Sequence, residues 1–279
     1  MAERCTTASS ARSRAPIVFL HGVFANGLLW RKVAPKLAEK YRCIVPDWPL
    51  GAHATPMRPD ADLSVPGHAR LFAEFLEALD LRGVCVVGND SGGAIAQLVA
   101  AEFPERLGHL VLTPCDAFEV FPPAMFSYLS WVPRIPGLSA VLAKSMLYVP
   151  WLRRLPVAFG WLSANPIAAA VSDPWVRSAA TRSGVRRDLG KFLRSVDPEH
   201  TLRAAQGLSR FERPVLLLWA PDSRFFPMEL AERLERLLPD ARVVAIEGAG
   251  VFVSEDQPER VAAAIDAFLV AEDCGRLAS

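Results

Sequence analysis

Val86-Val87-Gly88-Asn89-Asp90-Ser91-Gly92-Gly93-Ala94 is the stretch from which the rest of the chain can be read. An apolar run rich in valine (84–88) passes through small residues straight into a helix-period segment (93–103). A strand-to-helix turn of this kind pushes one side chain out at the top of a sheet. It needs small residues two positions to either side so that backbones can approach. Two frames fit. Gly88 to Gly92 places Asp90 at the apex, and Asn89 to Gly93 places Ser91 there. The first has glycine at both small positions and a better-matched strand, so Asp90 is the expected apex. The plainer role for Asp90 is to cap the helix that follows.

Working outward, further short apolar runs rich in β-branched residues fall at 17–20, 43–46, 110–113, 215–219 and 242–246, as expected for buried parallel strands. Helix-period segments lie between most of them, at 28–40, 66–79, 228–238 and 258–270. The alternation predicts an α/β fold with a mostly parallel sheet flanked by helices. It breaks once. From Phe118 to Ser209 there is no convincing strand, but much proline, tryptophan and leucine. The expected organisation is therefore a disordered tail (1–15), a core in two pieces (16–117 and 210–272) and a helical cap (118–209). Most of the cap's large aromatics are expected to form its own core, with two or three facing a ligand pocket.

Composition narrows the function. Among 279 residues, 31 Lys+Arg stand against 30 Asp+Glu, and 51% are hydrophobic. Disorder is excluded by that hydrophobicity, and the balanced charge argues against a nucleic-acid partner. The five cysteines are scattered without CxxC spacing, which speaks for a reducing, cytoplasmic setting and against a disulfide framework. No run is long enough for a membrane span, so no membrane partner is expected. The sequence has no dinucleotide fingerprint, no phosphate loop and no metal-ligand spacing, so no cofactor and no metal are expected.

Two further turns bear on the elbow. His21-Gly22-Val23-Phe24 follows the first strand, and Asp47-Trp48-Pro49-Leu50-Gly51 follows the second. With these in order before the elbow, the chain resembles the α/β-hydrolase superfamily over nearly its whole length. An Asp at the apex resembles its epoxide hydrolase and haloalkane dehalogenase branch. The resemblance implies Asp90 as a nucleophile that forms an ester, and the backbone N–H groups of Val23 or Phe24 and of Ser91 as an oxyanion or leaving-group site. It implies a structural role for His21.

The remaining triad positions depart from that pattern. The acid expected after the seventh family strand would fall on Ser223 in Trp219-Ala220-Pro221-Asp222-Ser223, with Asp222 one residue off register. The family's alternative position, after the sixth strand, holds Asp116, which could equally cap a turn. The histidine position, in Gly248-Ala249-Gly250-Val251-Phe252, is occupied by Val251, which cannot take a proton from water. Of the five histidines, His53 lies on a loop expected to face the elbow and is the candidate for a relocated base. His200 is a weaker one, His109 precedes a strand, and His68 begins a surface-like helix.

Three functions remain open. One is hydrolysis of an epoxide or halide through an Asp90 ester with an atypical base. Another is non-hydrolytic lyase, cyclase or isomerase chemistry with Asp90 as general acid or base. A third is an inactive ligand-binding homologue. The aromatic insertion favours a small hydrophobic molecule as ligand. Its basic groups are read as solvated helix faces, and an apolar outer surface leaves a homodimer open.

Overall fold

A computed structural model describes residues 15–278; residues 1–14, nearly all of the expected tail, lie outside it. Six strands form one sheet: β1 (Ile17–Leu20), β2 (Cys43–Ile44), β3 (Val84–Gly88), β4 (Leu107–Leu112), β5 (Val215–Trp219) and β6 (Ala241–Ala245). Their order is β2-β1-β3-β4-β5-β6 and every pairing is parallel. Strands β1, β3 and β5 are wholly buried, because helices cover both faces and leave no polar side for alternation to mark. Between β1 and β3 the direction of winding reverses. In open parallel sheets the crevice for a ligand lies at the carboxyl ends of strands that flank such a switch.

The helices α1 (Ala34–Ala38), α2 (Val65–Ala78) and α3 (Ser91–Glu102) join the first four strands. The expected helix 28–40 divides in two. A 3-10 turn at Gly27–Trp30 is capped by Asn26, and α1 opens afresh with a proline in its first turn, where no N–H is needed. Strand β4 starts three residues before the expected 110, which places His109 inside it, buried. His68 is also buried: α2 packs it edge-on against Phe192, with ring centroids 5.1 Å apart.

Between β4 and β5 run only helices: α4 (Leu138–Tyr148), α5 (Ala169–Thr181), α6 (Ser183–Ser195), α7 (Pro198–Leu208) and short 3-10 turns. A single isolated bridge, Ala117 to Val120, precedes them. The chain then returns to the sheet and continues through α8 (Met228–Leu237), α9 (Val253–Asp256) and α10 (Pro258–Ala278). Trp175 is buried between the insertion and the core, edge-on to Phe159 (5.4 Å) and to Phe252 (5.6 Å). Trp131, Trp151 and Trp161 are exposed, contrary to the expectation that they form the cap's own core. No helix among the described residues is long and apolar enough to cross a membrane.

Candidate active site

Asp90 stands between β3 and α3 with φ 53° and ψ −135°. A non-glycine residue at positive φ costs on the order of 1–2 kcal/mol, and here the surrounding backbone holds it there. The Asp90 N–H donates to Pro114 O (3.0 Å). Its carboxylate lies over Gly22, where a Cβ would come within 2.0 Å of Oδ2. A Cβ on Gly92 would stand 2.5 Å from the His21 carbonyl. Close approach on both sides explains the glycines, and it makes Asp90 the apex in place of Ser91, which is the first residue of α3.

Three neighbouring strand ends supply the surroundings. After β1 come Val23 and Phe24, after β3 come Asp90 and Ser91, and after β4 comes Asp116; all line one cavity. The insertion closes it with Phe121, Phe126, Tyr128, Met146, Phe159 and Leu162 among others. Phe121, Phe126, Tyr128 and Phe159 are thus among the cap aromatics that reach the cavity, against the two or three expected. Its ionisable side chains are Asp90, Asp116 and Tyr128, and the Tyr128 hydroxyl donates to Val157 O (2.8 Å).

Asp116 is 1% exposed, and neither carboxyl oxygen has a hydrogen bond of ordinary geometry among the described residues. Its backbone is fixed by Gln97 Nε2, which donates to Asp116 O (2.8 Å). Burial pushes the Asp90 carboxyl up to about 7, against the pull of a hydrogen bond from the Ser91 N–H. Burial again, and next the charge of Asp90, pushes Asp116 well above the carboxylate range. Two buried carboxyls that line one cavity and feel each other's charge favour a state in which one proton serves both.

Other residues singled out in the sequence do not line this cavity. His53 is buried elsewhere, with Nε2 3.3 Å from Asp188 Oδ2 on α6. Asp188 also accepts from Met57 N (2.7 Å) and from the Arg187 guanidinium (2.7 and 2.9 Å). The expectation that His53 faces the elbow fails because this carboxylate pins the 51–57 loop to the insertion. His200 meets the Ser195 carbonyl (3.0 Å). His21 donates from Nδ1 to Gly22 O (2.9 Å) and accepts at Nε2 from Trp48 N–H (2.8 Å), while burial lowers its pKa to about 4. It is a neutral tie between two loops. Ser223 accepts from Phe226 N (3.3 Å), and Asp222 is exposed. The Phe24 N–H is also committed, to Leu50 O (2.9 Å), so of the two turn residues only Val23 is left to meet an anion.

Val251 is fully buried. Asn89 Nδ2 donates to its carbonyl (2.8 Å), as well as to Thr113 Oγ1 (2.9 Å) and Pro114 O (3.1 Å). Above this loop lies the insertion: Phe252 N donates to Leu162 O (2.7 Å). Asp256 accepts from Gly250 N (3.0 Å), Ser163 Oγ (2.6 Å), Ala164 N (2.9 Å) and Asn165 N (3.2 Å). The roles of Asn89, Asp188 and Asp256 left no local signal in the sequence, because each joins segments far apart in the chain.

The family model for the alpha/beta hydrolase fold matches residues 15–258. The chain belongs to that family. Among alpha/beta hydrolases it is 28% identical to haloalkane dehalogenase 2 of Mycobacterium bovis, over 90% of this chain and 86% of that one. It is also 28% identical to a cis-3-alkyl-4-alkyloxetan-2-one decarboxylase of Xanthomonas campestris, over 91% and 87%. A solved ancestral haloalkane dehalogenase superposes with a TM-score of 0.74 at 21% identity, covering 93% of each chain, which shows a shared alpha/beta hydrolase fold.

Proposed function

We propose that this alpha/beta hydrolase opens a strained ring, of the epoxide kind, in a small hydrophobic molecule. Asp90 would be the nucleophile, Asp116 the proton carrier and the insertion a cap over the site. The observation that carries the proposal is the pair of carboxyls, with no basic side chain beside them, in the lining of a largely apolar cavity. With one proton between them, Asp90 is ionised and Asp116 protonated. An Asp90 oxygen attacks a ring carbon, the ring C–O bond breaks, and the released oxygen takes the Asp116 proton. Asp116, now a carboxylate, accepts a proton from water as the water oxygen adds to the Asp90 ester carbonyl. Collapse expels the alcohol, which takes the remaining acid proton, and both groups return to their starting states.

The same proton inventory separates epoxides from halides. A halide leaves without a proton, so Asp116 would stay protonated and could not activate water. Stabilisation of the tetrahedral oxyanion falls to the N–H groups of Ser91 and Val23. Non-hydrolytic acid–base chemistry by Asp90 is the second reading. It draws on the elevated Asp90 pKa and on the decarboxylase named among the relatives.

The test is turnover of hydrophobic epoxides and 1-haloalkanes in ¹⁸O-water, with peptide mapping of Asp90. Hydrolysis through the ester places ¹⁸O in the Asp90 carboxyl. Asp116→Asn removes both the proton donor for ring opening and the base for ester hydrolysis, and should slow turnover by about 10² to 10⁴-fold, whereas His53→Ala should leave a stable protein active. Product that has gained no oxygen from water, with Asp90 unlabelled, would replace this proposal with the non-hydrolytic one, and a diol formed with Asp90 unlabelled would refute the ester. Turnover of haloalkanes but not epoxides would refute the role of Asp116.

A further inference from the structure

Among the described residues, every large apolar side chain more than half exposed lies in one stretch: Trp131, Ile135, Val141, Tyr148 and Trp151. Such residues are ordinary when scattered singly, but not when gathered. On α4, Val141, Lys144 and Tyr148 share the outward face, while Leu142 and Met146 line the cavity within. A helix apolar on both sides belongs in a buried place, yet none of the described residues covers the outer side of α4 at Val141 and Tyr148.

Charge identifies the covering. Between Glu119 and Asp173 the sequence has no acidic residue, and its cations are Arg134, Lys144, Arg153 and Arg154. Arg153 is buried and bonded to Asp173 and Ser172. The other three are exposed beside the apolar residues, and Arg134 stacks on Trp131 at 4.7 Å. Tryptophan and tyrosine with flanking cations, and no anions, suit the boundary between lipid headgroups and acyl chains. Val157 adds a route inward, since it lines the cavity and is 45% exposed.

We infer that the Trp131–Arg154 face docks on the surface of an anionic lipid bilayer, from which a hydrophobic ligand reaches the cavity past Val157. The docking does not depend on the proposed chemistry. It revises the expectation of no membrane partner, which rested on the lack of a spanning segment, because a peripheral face needs none.

Sedimentation with vesicles of phosphatidylcholine, with and without phosphatidylglycerol, tests it on the full chain. The wild type should pellet with the phosphatidylglycerol vesicles, shift its tryptophan emission to the blue, and be released by salt. Trp131→Ser with Tyr148→Ser and Trp151→Ser should abolish binding while leaving the melting temperature unchanged. Arg134→Gln, Lys144→Gln and Arg154→Gln should each weaken partitioning about fivefold. Wild type that stays in solution with both lipids, or variants that bind as well as wild type, would overturn the inference. A homodimer that the triple serine variant dissociates would assign the face to a second copy and overturn it as well.

Discussion

Asp90 meets two costs at once, a positive φ and a desolvated charge, and the second can be measured as pH dependence. Its carboxyl sits at about 7 in the fold against an ordinary 3.8. Between those values the folded chain keeps a proton that the unfolded chain releases, so stability falls as pH rises, by at most about 1.4 kcal/mol per unit. Above 7 both states are ionised and the penalty is constant. Asp90→Asn should therefore raise the melting temperature most at pH 8 and hardly at all near pH 4. Calorimetry across that range checks it, and a stabilisation independent of pH would contradict the assignment. The position of this residue was legible because the two-residue spacing of small neighbours is a local requirement of the turn. His53 was not legible, since its partner Asp188 stands 135 residues away and only the tertiary fold brings them together.

Elements differ in how they are fastened, and the segment 162–165 is the clearest case. One carboxylate, Asp256, holds its hydroxyl and amide donors together with the Gly250 amide. At about 1 kcal/mol net for each of these four bonds, Asp256→Ala should cost about 4 kcal/mol. Amide exchange at 162–165 and at Gly250 should accelerate, while α3 and β3 keep their protection; hydrogen-exchange mass spectrometry resolves the two. The strands were readable from their buried β-branched runs, and α3 from the elbow. The faces of α4 were not, because apolar residues on both sides of a helix give periodicity nothing to distinguish.

For the molecule as a whole, the parallel sheet and the insertion follow from the alternation of strands and helices and its one interruption, while the strand order does not. The winding reversal at β1 and β3 then places the site. How the insertion is held to the core does not follow, since that depends on carboxylates such as Asp188, fully buried and bonded to the backbone of Met57. Asp188→Ala removes a buried acceptor from Met57 N, Arg187 and His53 and should destabilise by about 1–3 kcal/mol. Its effect on turnover should follow the fraction folded, as titration with denaturant alongside activity would show.

Val251 also bears on redesign. Its loop is held through the main chain: Asn89 donates to the Val251 carbonyl, and the next amide donates to the Leu162 carbonyl. A mutational library confined to position 251 should yield no clone with a working imidazole. One that also varies 162–165 can open room for the ring. For redesign, the loop at 251 and the segment 162–165 are one unit, since the two are joined through their main chains.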